Sequence, residues 1–284
     1  MVLESLFNPF IVKKRPYEMF LAGFLYSIVG VFLGYAVFRE IAGILAVFLI
    51  VMATVPLFYL TIKEEEELDL KYDKEIFLLK EHTKVLIFLM FLFLGITSAL
   101  VLLYVFLPHS MSSQIFSIQE QAILNVNSNL QGNVTGFVIK LDILSKIFMN
   151  NLKVLFFCLI FAVLYGTGAI FILTWNASVI AVAMGNFIKL EIGKAVALVG
   201  FSSASTYFGA ATFSFARYMT HGLFEIAAYF IAGLGGGIIS VALVKHNFDN
   251  EKVLIDAMDL ILISLGTLFI AALVEVFITP ALFS

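Results

Sequence analysis

Residues 85–108 read VLIFLMFLFLGITSALVLLYVFLP and contain no charged side chain. A helix needs about 20 such residues to cross the ~30 Å hydrocarbon core of a bilayer. Residues 154–188 form an uncharged run too long for one span, and we predict that it turns at Trp175-Asn176, giving spans at 152–174 and 177–194. The other apolar runs are 19–38, 41–62, 195–216, 226–244 and a run from 260 to the end that carries only Glu275.

The composition indicates the same class of protein. Of 284 residues, 62% are hydrophobic and 13% are charged, against roughly 45–50% and 25% in soluble domains. A net charge of −3 with scattered basic residues argues against nucleic-acid binding. The single cysteine, Cys158, excludes a disulfide within the chain and a cysteine-based zinc site. We therefore predict an all-α, polytopic helical bundle of about seven spans in a cell membrane, with the lipid bilayer as its first partner.

The basic residues indicate an orientation. Lys13, Lys14 and Arg15 precede the first span, and five more lysines lie in the segment 63–84. Basic segments near span ends favour the cytoplasm, so we expect a cytoplasmic N-terminus, an external segment 109–151 and an external C-terminus. No signal peptide is visible, and residues 1–16 are predicted to lie on the membrane surface or to form a frayed tail.

The run 195–216 has a small, polar centre, which allows two interpretations. A re-entrant hairpin would place its tip in mid-membrane, whereas an ordinary span would bond the hydroxyl groups to backbone carbonyls. The hairpin gives seven spans and an external C-terminus, and a full span gives eight and a cytoplasmic one, so we predict the hairpin. Its tip residues are Ser202, Ser203, Ser205 and Thr206.

Six polar residues from three separate segments are predicted to share one depth near the outer surface. His221 and Glu225 are spaced i,i+4 and therefore lie on one helix face. Glu275 lies shortly before Pro280, and we expect Arg217 to be the counter-ion of Glu225 or Glu275. The predicted network comprises Asn150, Asn151, Arg217, His221, Glu225 and Glu275.

This network has three interpretations. It can fix the register of the helices, or it can serve a ligand or ion pathway, because intramembrane charge is costly by ~2.5–3.5 kcal/mol. Catalysis is the weakest interpretation, since one His and one Glu cannot complete a zinc site. We predict no metal, no cofactor and no enzymatic activity.

Glycine pairs at helix-packing spacing occur in two spans. Gly30 and Gly34 form one pair, and Gly233 and Gly237 form another. Gly166 and Gly168, inside the predicted span 152–174, are also predicted to be helix-packing glycines. Small residues at this spacing let backbones approach closely, within one chain or across a homodimer. Two further docking surfaces for protein partners are predicted, the polar segment 109–151 and the acidic segment 63–84, which is either an amphipathic helix or a solvated connector.

The second half of the chain carries a series of asparagines, glycines and other residues in a particular order and spacing: Asn150, Asn151, Gly166, Gly168, Asn176, the stretch His221-Gly222-Leu-Phe-Glu225, Ala228, Ala232 and Gly233. With this series the chain resembles the stage II sporulation protein M family of bacterial and archaeal membrane proteins. The resemblance covers roughly residues 85–284, although Thr220 stands where the family usually has proline, and the connection 194–220 is longer than usual. We therefore divide the chain into an N-terminal part, 1–84, and a family-like membrane domain, 85–284.

The resemblance implies a role in assembly. In sporulating bacteria the family member is a membrane component of a septal cell-wall-remodelling complex that recruits hydrolases and is not itself the hydrolase. The resemblance therefore implies an assembly or recruitment component, and the residues leave a transporter or channel for a small solute or ion as the alternative.

Overall fold

The computed structural model describes residues 16–71, 75–130, 137–244 and 251–283; of these, the side chains of 61–71, 75–82, 126–130, 137–139, 199 and 251–252 are not described. Nearly every residue in these ranges is helical, which confirms the predicted all-α class. The predicted surface segment with Lys13, Lys14 and Arg15 lies outside the described residues. So do the side chains of most of the acidic segment 63–84.

The helices follow one another with short connections. A 3-10 turn, Arg39–Ile41, follows α1, and a π-helix, Val274–Ile278, follows α9. The helices are α1 Tyr17–Val37, α2 Ala42–Lys71, α3 Glu75–Phe106, α4 His109–Ile115, α5 Ser117–Leu130, α6 Phe137–Tyr165, α7 Ala169–Val199, α8 Ala204–Val244, α9 Glu251–Leu273 and α10 Thr279–Phe283.

Within the described residues, seven segments are long and apolar enough to cross a membrane: α1, α2, α3, α6, α7, α8, and α9 together with the C-terminal turns. This agrees with the predicted polytopic bundle. The longest is α8 with 41 residues, or about 60 Å at 1.5 Å per residue, roughly twice the thickness of the hydrocarbon core. It packs against α6, α7 and α9, and α1 packs mainly against α2 and α3.

The predicted glycine pairs lie at close approaches within the chain. A Cβ on Gly30 would lie 2.9 Å from the Ile50 side chain, and one on Gly34 would lie 3.1 Å from the Ala42 carbonyl. A Cβ on Gly233 would meet Ala169 at 2.9 Å, and Gly237 is buried in α8. Gly30, Gly34 and Gly233 therefore serve packing inside one chain, and the homodimer stays a prediction.

The predicted turn at Trp175-Asn176 is wrong. Both residues lie inside α7, and the chain turns at 166–168 instead. Gly166 has a φ of +65°, a left-handed conformation that glycine adopts without strain. Gly168 immediately precedes α7, where a Cβ would overlap the Phe161 backbone. No charged residue interrupts the apolar run at this turn, so the sequence pattern placed the turn about nine residues too late.

The predicted re-entrant hairpin at 195–216 is also wrong. Helix α7 continues to Val199, Gly200 ends it with a φ of +85°, and α8 begins at Ala204 and runs without a break to Val244. The Ser203 hydroxyl accepts a hydrogen bond from the Thr206 backbone N–H at 3.3 Å and lies 2.7 Å from the Ser205 hydroxyl. The polar run, which includes Ser202, therefore caps a helix start, as serine commonly does.

The described part of the segment 109–151 is helical, where we expected a polar external loop. Helices α4 and α5 occupy most of 109–130, and α6 begins at Phe137, well before the predicted span start at 152. Residues 131–136 lie outside the described residues. Polar residues such as Gln119 are buried here rather than solvated.

Candidate functional site: a polar cluster below an open cavity

Three helices bring acidic and amide side chains together. The Asn151 side-chain N–H donates a 2.6 Å hydrogen bond from α6 to the Glu225 carboxylate on α8. The Glu225 and Glu275 carboxyl groups lie within hydrogen-bonding distance of each other, which joins α8 to the π-helix after α9. An ionised carboxylate only accepts hydrogen bonds, so a bond between the two groups needs a proton on one of them.

The π-helix shapes this site. Val274–Ile278 has the wider i→i+5 hydrogen-bond pattern, and such turns occur frequently at functional sites. It carries Glu275, and the residue that follows it, Thr279, lies 3.2 Å from the His221 Nδ1 atom through its hydroxyl oxygen. The C-terminal segment is therefore joined to α8 at two successive turns, by Glu275–Glu225 and by Thr279–His221.

Asn150 and Arg217 lie at the margin of this cluster. Asn150 is exposed and reaches only the Asn151 side chain, at 3.5 Å. Arg217 is exposed, with its guanidinium 5.7 Å from the Phe187 ring centroid. Among the described residues it forms no ion pair with Glu225 or Glu275, so the geometry does not provide the predicted counter-ion. Of the six predicted residues, Asn151, Glu225 and Glu275 are in contact through Glu225, whereas His221 contacts Thr279.

A cavity of about 340 Å³ opens beside the cluster. Arg217, Tyr218 and His221 form its α8 wall, and Glu275, Thr279, Pro280 and Phe283 form the C-terminal wall. A neighbouring groove of about 660 Å³ between α7 and α8 shares Arg217 and Phe283 with it and reaches Thr206. Together the two spaces extend from the α7–α8 turn to Glu275.

The core of α8 is closed on the other side of the cluster. Every residue of 228–238 is buried. A Cβ on Gly236 would lie 2.8 Å from Ala162, and one on Gly235 would lie 3.0 Å from the Ala257 carbonyl. In this part of the described structure, α8 therefore packs closely against α6 and α9.

A second polar cluster was not predicted. The Tyr104 hydroxyl lies 2.7 Å from a Glu120 carboxylate oxygen and 2.6 Å from the Asn186 side-chain oxygen, joining α3, α5 and α7. The Lys189 ammonium lies 3.9 Å from the Tyr104 ring centroid, close enough for a cation–π interaction. Predicting this cluster requires knowing how α5 packs against the spans. The sequence pattern instead placed Glu120 in the polar external segment 109–151.

Taken together, the seven apolar segments and the buried polar contacts between them define an all-α, multi-pass membrane protein. The family model described as stage II sporulation protein M matches residues 24–280. The chain belongs to this family. The match begins within α1 and so extends into the N-terminal part, 1–84, beyond the residues 85–284 over which we noted the resemblance. Neither a curated protein nor a solved structure matches the chain.

Proposed function

We propose that this protein is a membrane assembly component, and that its polar cluster holds α6, α8 and the C-terminal segment in one arrangement. The observation that carries this proposal is the closed core at 228–238. A conduit would need a polar path past these residues, whereas a scaffold needs a rigid frame. The contacts Asn151–Glu225 and His221–Thr279 suit a frame, because polar pairs in a bundle core specify register.

The protruding part of the α7–α8 hairpin supports partner binding. Because α8 is about twice as long as the hydrocarbon core is thick, one bilayer does not cover it throughout. Several apolar side chains near the α7–α8 turn are nevertheless exposed, Leu198 by 85%, Phe201 by 64% and Phe208 by 76%. A protein surface is the occupant that would cover such side chains beyond the lipid, and we assign the external helices α4 and α5 and the acidic segment 63–84 as additional docking surfaces.

Photo-crosslinking in native membranes tests this proposal. A photoreactive amino acid placed at Leu198 or Phe208 is expected to yield discrete protein adducts. The matched control is Leu21 on α1, which is 53% exposed and lies in a span of ordinary length; it is expected to label lipid. Equal adduct patterns at the hairpin and at Leu21 would contradict the assembly function.

A transporter of a small solute is the second candidate. The two spaces that share Arg217 and Phe283 favour it, because they lead from Thr206 to the acidic pair. Buried ionisable groups at the end of such a path are typical of transport sites. Reconstituted liposomes decide between the candidates: a solute flux that is lost with Glu225→Gln supports transport, and no flux in either protein supports assembly.

We further propose a location in the cell membrane with a cytoplasmic N-terminus and an external C-terminus. Seven crossings place the two ends on opposite sides, and the basic residues before α1 favour the cytoplasm. A protease-accessible tag after Ser284 should be cleaved from outside intact cells. A tag protected until the cells are lysed would reverse this orientation.

A further inference from the structure

Two residues of opposite charge line the cavity beside the polar cluster without forming an ion pair with each other. Arg217 lies on its α8 wall and Glu275 on its C-terminal wall. In the described part of the chain the ion pairs are Lys146–Asp142 and Lys194–Glu191, and Arg217 takes part in neither. Opposite charges that face one open space without pairing leave room for a molecule that bears both complementary charges.

The spacing of the two charges follows from the helices. Arg217 is one turn from His221 in α8, and Glu275 is about one turn from Thr279 in the antiparallel C-terminal segment. The His221–Thr279 contact of 3.2 Å lies between them. The Cα atoms of the two charged residues are therefore separated by about 12 Å along the helices, a gap that the two side chains and a small molecule can fill together.

The charge balance favours a molecule with no net charge. With a proton shared between Glu225 and Glu275, the acidic pair carries one negative charge and Arg217 carries one positive charge. Tyr218 and Thr279 add hydroxyl groups to the wall. The volume of about 340 Å³ falls at the small end of the ~300–1,000 Å³ found for ligand sites.

We propose that this cavity binds a small zwitterion of the amino-acid or short-peptide class, with its carboxylate at Arg217 and its ammonium group at Glu275. Both contacts are charge-assisted hydrogen bonds, the stronger kind in proteins. The guanidinium fork suits a carboxylate, and its position over the Phe187 ring leaves its edge available. This site goes beyond the assembly function and does not depend on it.

The test uses probes that differ in one charge at a time. Glycine, diglycine and triglycine carry both charges at increasing separation, N-acetylglycine carries only the carboxylate, and glycinamide only the ammonium group. Binding to the purified full-length protein in lipid nanodiscs is measured by titration calorimetry. We expect saturable binding of at least one of the three zwitterions, and dissociation constants roughly ten- to a hundredfold higher for both single-charge probes.

Two conservative variants assign the ends of the ligand. Arg217→Gln should remove the preference for the bound zwitterion over glycinamide, and Glu275→Gln should remove its preference over N-acetylglycine. Arg39→Gln is the matched control, because Arg39 is also exposed and lies 5.3 Å from the Tyr35 ring centroid without lining this cavity; it should bind as the unmodified protein does.

Three results would overturn the proposal. The first is that no zwitterion binds saturably to the unmodified protein. The second is that a single-charge probe binds as tightly as the zwitterions. The third is that Arg217→Gln and Glu275→Gln keep the selectivity of the unmodified protein.

Discussion

The two halves of α8 have opposite surroundings although both are apolar. Residues 228–238 are entirely buried, and neighbouring helices pack closely against Gly233, Gly235 and Gly236. Residues 204–217 expose large side chains, with Phe208 at 76% and Phe215 at 45%. Small residues permit close packing within the bundle, and large exposed ones provide surface for something outside it.

The polar cluster lies between these halves. Arg217 and His221 border the cavity, and Glu225 makes the contacts to α6 and to the C-terminal segment just before the buried stretch begins. We infer that the two halves of α8 have different roles. Residues 228–238 form a rigid frame with the neighbouring helices, and residues 204–217 provide a binding surface.

The largest effect is expected from a glycine in the buried half. Gly236→Leu should lower the free energy of unfolding by about 3 kcal/mol, because its first added carbon already lies 2.8 Å from Ala162 and 3.1 Å from the Leu159 carbonyl. The matched control is Gly209→Leu in the exposed half, where a Cβ meets nothing within 4 Å. It should change stability by less than about 0.5 kcal/mol.

A thiol-reactive dye in detergent measures both glycine variants. The chain has one cysteine, Cys158, and its side chain is buried, so the dye reports unfolding directly. Equal midpoints for Gly236→Leu and Gly209→Leu would refute the contrast between the two halves.

An intermediate effect is expected in the polar cluster. Glu225→Ala should cost about 2 kcal/mol, because it leaves the Asn151 amide and the Glu275 carboxyl without their partner in a confined site. Glu225→Gln keeps an acceptor oxygen for Asn151 and should cost clearly less. The same dye assay compares the two, and an alanine variant as stable as the glutamine variant would show that the Asn151 contact contributes little.

A smaller effect is expected at the second connection. A double-mutant cycle of His221→Ala and Thr279→Val should give a coupling energy of about 0.6 kcal/mol, the average for hydrogen bonds between membrane helices. The two atoms are 3.2 Å apart. The coupling energy is calculated from the unfolding free energies of the four proteins. A value of zero would mean that the His221–Thr279 contact does not stabilise the C-terminal segment.

The smallest effect on stability is expected at the exposed tip. Phe208→Ser should leave the unfolding midpoint within error, since the side chain is 76% exposed. In native membranes it should reduce crosslinked adducts formed from a photoreactive residue at Leu198. Loss of stability without loss of adducts would show that Phe208 belongs to the frame instead.

Much of the fold could be predicted, because a helix must have about 20 consecutive apolar residues to cross a bilayer. Uncharged runs such as 85–108 marked the spans, and the depth argument placed Glu225 and Glu275 at one level, where they are in contact. The turns were predicted less well. Gly166 was interpreted as a packing glycine and Ser203 as part of a re-entrant tip, although the first supplies a left-handed turn and the second a helix cap.

Of the predicted site residues, Asn151 and Glu225 form a hydrogen bond, and the role of the polar network stays a prediction. Spacing along a helix fixes which residues share a face, so His221 and Glu225 could be grouped in advance. It does not fix the direction of a long exposed side chain, and Arg217 lies over Phe187 rather than against a carboxylate. The Tyr104–Glu120 contact depends on the path of α5, which no spacing rule supplies. The division of the chain at residue 84 stays a prediction.

Cysteine accessibility tests the division of α8 most directly. In a Cys158→Ala background, single cysteines replace Arg217, which borders the cavity, and Ala232, which has no exposed surface. A membrane-impermeant thiol reagent should label position 217 from the side of the C-terminus only, and position 232 only after denaturation. Labelling of position 232 in the folded protein, or of position 217 from the opposite side, would contradict a buried stretch 228–238 next to a cavity that is open on one side.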